Sequence, residues 1–206
     1  MDCKYICITG GIGSGKSVVS KIIQALGLQV YDCDSKAKHL MNNSIVIKSR
    51  IYNEISHEAV EIKSNGQWGK IKRGVLSEIV FNSKEYLKKL NEITHGTVRE
   101  DIICWGSSHQ SNLPLFIETA IPFSSGIDKI SDIIWAVEAP LEVRINRTIK
   151  RDGSDRNKVL SRIQSQSDEI NCLNNCTSIP IYSIYNDGEI AVLPQILNTL
   201  HSIGIL

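Results

Sequence analysis

The sequence lacks the features that mark membrane, secreted and general nucleic-acid-binding proteins. No apolar run approaches the roughly 20 residues that a membrane-spanning helix needs, and no charged segment followed by a long apolar one stands at the start of the sequence. The net charge is only +1, without the basic excess that is typical of nucleic-acid binders. We therefore expect a cytoplasmic protein that has neither a membrane nor a nucleic acid as its partner.

The sequence also lacks cysteine pairs of the metal-binding or redox type. Six cysteines, at positions 3, 7, 33, 104, 172 and 176, are scattered without a CxxC motif, which predicts reduced thiols. Cys172 and Cys176 lie four residues apart and could share one helix face, so a metal site is an alternative to two ordinary thiols there. No internal repeat or low-complexity tract occurs, and 206 residues suit one domain with inserted subdomains.

The sequence does contain a complete phosphate-binding motif near its start. Residues 10–17 read GGIGSGKS and match the pattern GxxxxGK[ST]. The apolar run Tyr5-Ile6-Cys7-Ile8 precedes this motif, and apolar residues at helical spacing follow it, so the motif lies between a strand and a helix. A glycine-rich turn that matches by coincidence is the alternative. The complete match in its required context favours a nucleotide-dependent kinase.

Each residue type in this phosphate loop, residues 10–17, has a chemical purpose. The glycines let the backbone curl so that N–H groups point at phosphate oxygens, and the following helix adds its own N-terminal N–H groups. Lys16 is long enough to reach the β- and γ-phosphates, and the Ser17 hydroxyl is small enough to hold Mg²⁺ beside them. The predicted nucleotide site comprises Gly11, Ile12, Gly13, Ser14, Gly15, Lys16, Ser17 and Val18, the last through its backbone N–H alone.

The rest of the sequence predicts an α/β fold. Apolar runs of strand type lie at 5–8, 28–31, 115–117, 133–137 and 179–184. The third and fourth runs are almost continuously apolar, as in a parallel sheet that is covered on both faces. We predict helices over 35–41, 45–55 and 71–81 and from Ser83 onward, with a turn-like segment over 61–70. This long insertion between strands is the natural place for a second substrate.

An arginine-rich helical segment follows Pro140. Arg144, Arg147 and Arg151 recur at helical spacing, on a stripe separate from the apolar one. Residues 151–155 break this helix, and Ser154 or Asp155 caps the next. Two such helices joined by a short polar turn predict a lid that closes over phosphates. The alternative is a solvated helical face.

An ordered series of motifs resembles the dephospho-coenzyme A kinase family. The sequence TGGIGSGKS at 9–17 is followed by Asp32-Cys33-Asp34, which is similar to the family's DxD after one helix and one strand. Further matches lie at Arg73, Leu76, Phe81, His95, Ala139-Pro140, Arg147, Arg151, Asp152, Arg162, Ile163, Gln166 and Asn186-Asp187-Gly188. The chain departs from the family pattern at Val18, Gly96, Ser124, Pro180 and Tyr185, and these departures bear on the substrate pocket more than on the phosphate chemistry.

The resemblance implies transfer of the ATP γ-phosphate to the 3′-hydroxyl of dephospho-coenzyme A, the last step of coenzyme A synthesis. It implies a three-layer P-loop NTPase fold with a parallel five-stranded sheet, a helical substrate-binding insertion and a helical lid. Within one P-loop kinase domain, the core would take about 1–34, 113–140 and 178–206, the substrate-binding region about 35–112 and the lid about 141–177.

The resemblance also implies catalytic roles for Lys16, Asp34 and Arg147. Lys16 and the loop amides would neutralise charge on the β- and γ-oxygens, while Arg147 and Arg151 cover the transferring group. Asp34 would orient the 3′-hydroxyl and accept its proton. A helix cap at the start of 35–41 is the alternative role for either carboxylate, Asp32 or Asp34.

Asp32, Arg73 and His95 are expected to bind the substrate. Asp32 could instead hold water on the metal ion, and His95 could be an ordinary packed residue of its helix. Arg73 could pair with a local acid such as Glu78.

Two other functions share the phosphate loop. One is a P-loop kinase that acts on another small molecule or nucleotide, and the other is a nucleotide-binding switch without an acceptor substrate. GTP switches carry an Asn-Lys-x-Asp motif, whereas the one Asn-Lys pair in this sequence, Asn157-Lys158, is followed by Val159-Leu160. The sequence therefore argues against a switch of that kind.

Overall fold

The computed structural model of the chain describes residues 4–109 and 113–205. The chain divides into two compact units, one within Met1–Asp32 and Gln110–Leu206 and the other formed by Cys33–His109. In chain order the strands are β1 (Tyr5–Thr9), β2 (Val30–Asp32), β3 (Val60–Ile62), β4 (Trp68–Ile71), β5 (Leu115–Glu118), β6 (Ile133–Glu138) and β7 (Ile181–Tyr185). The α-helices are α1 (Lys16–Ala25), α2 (Cys33–Asn43), α3 (Ile45–Glu54), α4 (Arg73–Asn82), α5 (Lys84–Ser107), α6 (Pro122–Ser125), α7 (Leu141–Asp152), α8 (Arg156–Gln164), α9 (Ser167–Asn175) and α10 (Val192–Ser202).

The first unit is built on a parallel five-stranded sheet with the order β2-β5-β1-β6-β7. One apolar core includes Ile6, Ile8, Phe116, Trp135 and Val137 from its strands, and α1 and α10 pack against it. Residues that alternate with these along the same strands, among them Cys7, Ile117, Ile134 and Ala136, are buried as well. Both faces are therefore covered, which is why the strands read as continuous apolar runs. The predicted three-layer P-loop fold is confirmed.

Three details of this unit differ from the prediction. The second strand starts two residues later and ends one residue later than expected, so that Asp32 ends it and α2 starts at the next residue. The lid segment, residues 141–177, contains three helices rather than two, because the polar run Ser165-Gln166 separates α8 from α9. The short helix α6 was not predicted, since four residues are too few to show a helical period.

The second unit has a core of its own. Ile47, Ile51, Leu76 and Ile93 are buried together from α3, α4 and α5. The predicted turn-like segment at 61–70 is wrong in part, because β3 and β4 form an antiparallel hairpin there around Asn65-Gly66. The strands have only three and four residues, too short to show alternation among so many polar side chains.

Helix starts agree with the predicted caps in two places and differ in one. The Ser83 hydroxyl accepts the Tyr86 N–H, and the Asp155 carboxylate accepts the Lys158 N–H. Asp34, in contrast, lies inside the first turn of α2, which begins at Cys33. The structure therefore contradicts the alternative in which Asp34 precedes its helix as a cap.

Five of the six cysteines lie among the described residues. Cys7, Cys33, Cys104, Cys172 and Cys176 are free thiols, whereas Cys3 lies outside the described residues. Burial raises the pKa of the Cys7 thiol well above its usual value. Among the helices that the structure describes, none combines the length and the apolar character needed to cross a membrane.

Candidate active site

The phosphate loop has positive φ angles at three glycines, Gly10, Gly13 and Gly15. Gly13 and Gly15 have φ angles of 77° and 96°. A Cβ atom at Gly13 would collide with the Arg144 carbonyl oxygen, and one at Gly15 would collide with the Asn186 side-chain amide. The loop therefore needs glycine for its backbone conformation and for the close approach of neighbouring segments.

The loop presents main-chain N–H groups without protein partners. The Ser14 N–H donates to the Gly11 oxygen at 3.1 Å, and the Val18 N–H donates to the Gly15 oxygen at 2.9 Å. Within 4–109 and 113–205, the N–H groups of Gly13, Gly15 and Ser17 have no protein acceptor. These three donors fit a set of phosphate oxygens. Val18, predicted to contribute its N–H, uses it within the helix turn instead.

Lys16 and Ser17 complete the predicted donor set. Lys16 Nζ donates to the Gly10 oxygen at 2.6 Å, which holds the ammonium group at the loop. Ser17 is exposed in the first turn of α1. No cluster of three or more His, Cys, Asp or Glu side chains suited to a metal occurs in the described parts of the chain. The Ser17 hydroxyl, exposed beside the loop, is the group that would hold a Mg²⁺ ion.

The lid segment contacts both polar groups of Ile12, at the tip of the loop. Arg144 Nε from α7 donates to the Ile12 oxygen at 2.9 Å. The Ile12 N–H donates to Gln166 Oε1 at 2.7 Å. Arg144 Nη2 is buried without a hydrogen-bond partner in the described structure, and burial lowers the pKa of this guanidinium. Two elements of the lid segment thus hold one residue of the loop.

Arg147 reaches the loop through an intermediary. Its Nη1 donates to the Asn186 oxygen at 2.7 Å, and the buried Asn186 side-chain amide donates to the Ser14 oxygen at 2.9 Å. The main-chain N–H groups of Ile190 and Glu189 lower the pKa of the adjacent Asp187 by donating to its carboxylate. The segment 186–188 is therefore a fixed turn that joins α7 to the loop.

Arg151 is not brought to the phosphate loop. It donates to its neighbour Asp152 at 2.6 Å, and Arg162 donates to the same carboxylate at 2.7 Å. Together these guanidinium groups hold the pKa of Asp152 well below its usual value. The Arg151 side chain is 60% exposed, so it lies on the solvent side of the lid segment.

Asp32 lies at the same edge of the sheet as the phosphate loop. It pairs in register with Glu118, which pairs with Ile8 near the end of β1. Two strand spacings separate Asp32 from β1, roughly 10 Å between backbones. In parallel α/β sheets this carboxyl edge is where ligands bind. Asp34 follows in the second unit as an exposed residue of the first turn of α2.

A groove of about 890 Å³ lies within the second unit, between the β3–β4 hairpin and the ends of α2 and α4. We call it the basic groove, because Lys48, Lys63, Lys70 and Arg73 line it with one acid, Glu61. Arg73 Nη2 donates to Asn42 Oδ1 at 2.8 Å. The predicted alternative partner of Arg73, Glu78, makes no such contact in the described structure. His95 does not line the groove and is partly buried in the middle of α5.

Helix α9 covers one side of the phosphate loop. A cleft of about 230 Å³ lies between Gly10, Gly11, the end of β6 and residues Ile170 and Leu173 of α9. Glu169 of the same helix accepts the N–H groups of Phe123 and Ser124 at 3.0 and 2.8 Å, which caps α6. The cleft is smaller than the roughly 300–1,000 Å³ of sites for drug-sized ligands.

The sequence profile of the dephospho-CoA kinase family matches residues 4–191. The chain belongs to the dephospho-CoA kinase family. It is therefore an ATP-dependent kinase, and the resemblance found in its ordered motifs is confirmed. The alternative interpretation, a nucleotide-binding switch without an acceptor substrate, is wrong for this chain.

Individual family members and solved structures agree with this assignment. The chain is 40% identical over 164 residues to a dephospho-CoA kinase of Porphyromonas gingivalis, covering 80% of this chain and 78% of the relative. It is 36% identical to that of Bacteroides fragilis, covering 95% and 90%. A crystal structure from Thermus thermophilus superposes with a TM-score of 0.76 at 28% identity, covering 98% of each chain. A dephospho-CoA kinase from Campylobacter jejuni gives 0.63 at 26% identity, covering 97% and 96%.

Sequence reasoning missed the side chains that hold the phosphate loop in place. Arg144 was seen only as part of an arginine stripe, while Gln166 and Asn186 were seen only as family matches. Gln166 and Ile12 lie 154 positions apart in the chain, and Asn186 and Ser14 lie 172 apart. The family matches at 166 and 186 were the available signal, but one sequence does not show which distant residues meet.

Replacing Gly13 by alanine is expected to weaken nucleotide binding at least tenfold and to destabilise the fold by about 2 kcal/mol or more. The new Cβ atom would have to sit at positive φ against the Arg144 carbonyl oxygen. Calorimetric titration with ADP and thermal unfolding measure the two effects. Gly96→Ala is the matched control, because a Cβ atom there would approach only the Arg99 side chain, at 3.9 Å. The free energy of unfolding of Gly96→Ala should rise by about 0.5–1 kcal/mol, because alanine replaces a glycine inside a helix. Unchanged ADP affinity in Gly13→Ala would contradict this account of the loop.

Proposed function

We propose that this kinase transfers the γ-phosphoryl group of ATP to the 3′-hydroxyl of dephospho-coenzyme A. The hydroxyl oxygen forms a bond to the γ-phosphorus, the bond from that phosphorus to the β,γ-bridging oxygen breaks, ADP leaves, and the hydroxyl proton passes to a carboxylate. One observation carries the proposal: a phosphate loop with unpaired N–H donors lies in a chain that the family profile matches from residue 4 to residue 191.

The loop residues stabilise the charge that spreads over the transferring group. Lys16 neutralises the β- and γ-oxygens, with the N–H groups of Gly13, Gly15 and Ser17 as further donors. Ser17 would hold Mg²⁺, which would supply further neutralisation of these oxygens. These contributions are positioning and charge neutralisation rather than covalent chemistry, and they account for most of the expected rate.

Asp32, at the end of β2, and Asp34, in the first turn of α2, have separate roles toward the acceptor substrate. Asp34 accepts the proton of the 3′-hydroxyl, and Asp32 binds the substrate beside it or orients water on the metal. The position of Asp32 at the carboxyl edge of the sheet supports this assignment. The exposed carboxylate of Asp34 is open to a ligand.

The lid segment moves during the reaction cycle. The cleft beneath α9 is smaller than sites for drug-sized ligands, which supports a shift of α9 when a substrate binds at the loop. Arg147 is held near the loop through Asn186 and would cover the phosphates. Arg151, on the solvent side of the segment, would join it only through such a movement.

The basic groove receives the anionic part of the acceptor substrate. His95, in the middle of α5, lies outside this groove, and its predicted contact with the substrate rests on the family resemblance. Four cationic side chains around 890 Å³ suit a diphosphate group better than a neutral ligand. The free cysteines of the chain suit a reducing compartment such as the cytoplasm.

Replacing Arg73 by alanine is expected to raise the KM for dephospho-coenzyme A about 10- to 100-fold, the usual cost of losing a hydrogen bond to a charged group. The KM for ATP should change less than threefold, because the groove lies wholly within the second unit. Steady-state kinetics with each substrate varied in turn measures both values. Arg50→Ala is the matched control: Arg50 lies in the same unit but pairs with Glu54 at 2.6 Å and does not line the groove. Equal effects in the two variants would contradict the assignment.

A coupled assay of ADP release tests the proposed function itself. Dephospho-coenzyme A should support turnover, and a panel of nucleosides, nucleotides and small alcohols should support far less. If a member of the panel is the better acceptor, the protein is a kinase for another small molecule or nucleotide, the remaining alternative.

A further inference from the structure

Gln166 has a fixed side-chain orientation at the tip of the phosphate loop. It lies at the junction of α8 and α9, where its N–H donates to the Ile163 oxygen at 3.1 Å and its oxygen accepts the Ile170 N–H at 3.1 Å. Its side-chain Oε1 accepts the Ile12 N–H at 2.7 Å. Both backbone groups and one side-chain group are therefore held by named partners.

The donor and acceptor chemistry of this contact determines where the rest of the amide points. A main-chain N–H only donates, so the atom of Gln166 that faces Ile12 has to be the oxygen. The NH₂ group, Nε2, is then directed away from the Ile12 nitrogen. It has no protein acceptor in the part of the chain that the structure describes, and it is not among the buried polar atoms that lack partners. Gln166 thus presents two unused N–H donors beside the loop.

We propose that Gln166 is a further catalytic residue, whose Nε2 donates to an oxygen of the transferring γ-phosphoryl group while its Oε1 stays anchored on the Ile12 N–H. The inference rests on the proposed function and adds a residue to it. Nε2 meets the terminal phosphate only when the lid segment is in place. It therefore acts on the γ-phosphoryl group, whose charge changes during transfer. Lys16 and the loop amides, in contrast, bind β- and γ-oxygens alike.

Gln166→Glu separates anchoring from donation. The glutamate keeps an oxygen for the Ile12 N–H but replaces the donor by a second, negatively charged acceptor. We expect kcat with dephospho-coenzyme A to fall about 10- to 100-fold, the usual cost of losing a hydrogen bond to a charged group. Gln166→Ala, which removes both groups, should lose a comparable amount. Gln164→Ala is the matched control, because Gln164 is an exposed residue two positions earlier with no hydrogen bond to the loop.

Binding measurements test the same residue without turnover. Wild-type protein, Gln166→Glu, Gln166→Ala and Gln164→Ala are titrated calorimetrically with ADP and with the non-hydrolysable ATP analogue AMPPNP, each with Mg²⁺. Gln166→Glu should bind ADP within threefold of wild type and bind AMPPNP at least tenfold more weakly relative to ADP, since its carboxylate would face the γ-phosphate. Thermal unfolding verifies that each variant is folded, and Gln166→Ala serves if the glutamate variant is not.

Three results would overturn the inference. A Gln166→Glu variant with wild-type kcat beside an impaired Gln166→Ala variant would make the residue an anchor alone. Tighter AMPPNP binding by Gln166→Ala would make it a latch that competes with phosphate for the Ile12 N–H. An unchanged ratio of AMPPNP to ADP affinity in both variants would place Nε2 away from the γ-phosphate. If wild-type protein does not phosphorylate dephospho-coenzyme A, the proposed function fails, while the binding ratio still decides the role of Gln166.

Discussion

Replacing Lys16 by alanine is expected to lower kcat/KM for phosphoryl transfer about 10³-fold or more. The Lys16 ammonium lies at the loop, 2.6 Å from the Gly10 oxygen. Within residues 4–109 and 113–205, Arg144 is the one other cation that donates directly to the loop, and its Nε is engaged by the Ile12 oxygen. Removing Lys16 therefore takes away a cation held at the loop, and less positive charge is left to stabilise the β- and γ-oxygens during transfer.

The Lys16→Ala measurement needs a control for the general loss of a positive charge from α1. Lys21→Ala provides it, because Lys21 is an exposed residue of the same helix. Rates come from the coupled assay with dephospho-coenzyme A, and calorimetric titration gives nucleotide affinity. Turnover of Lys16→Ala within tenfold of Lys21→Ala would remove Lys16 from the mechanism.

Local sequence was sufficient to predict the parts of the site that short segments build by themselves. The loop between β1 and α1 follows from adjacent residues, because an apolar strand, a glycine-rich turn and an amphipathic helix succeed one another within 25 positions. The parallel sheet follows from continuous apolar runs such as Ile133–Val137, which only a doubly covered sheet buries completely. The caps at Ser83 and Asp155 likewise depend on residues three positions away.

The contacts that position the lid segment depend on distant residues and were not predicted. Arg147 and Arg151 share one stripe of α7, yet Arg147 bonds to Asn186 while Arg151 bonds to Asp152. Helical spacing shows that two side chains lie on one face but not which of them meets a partner brought there by another strand. The same limit applies to Gln166, whose partner Ile12 lies near the opposite end of the chain.

The departure at Ser124 leaves the main-chain contact of α6 with α9 in place. The resemblance places a glutamate at this position, whereas here the Ser124 N–H donates to Glu169 of α9 at 2.8 Å. This bond uses the main chain, so the side chain at 124 does not determine it. Glu169 thereby brings a carboxylate from the lid segment to α6, the helix that carries Ser124. A change at one position of the family pattern therefore leaves α6 capped and in contact with α9.

Replacing Asp34 by asparagine is expected to lower kcat about 10³-fold while ATP binding stays within threefold of wild type. Asparagine keeps the size of the side chain and its place in the first turn of α2, but it does not accept a proton from the 3′-hydroxyl. The kinetic parameters for each substrate and a titration with ADP measure the two effects. Because Asp34 is exposed, the substitution should leave the thermal unfolding midpoint nearly unchanged.

Asp32→Asn is the matched comparison that assigns the base. Both residues are exposed carboxylates, but Asp32 ends β2 in register with Glu118, whereas Asp34 belongs to α2. A substrate-binding role for Asp32 predicts a raised KM for dephospho-coenzyme A and a loss of kcat of about tenfold, well short of the 10²–10⁴-fold contribution of a general base. If Asp32→Asn loses more kcat than Asp34→Asn, the proton passes to Asp32 instead, and Asp34 has to be reassigned to substrate binding.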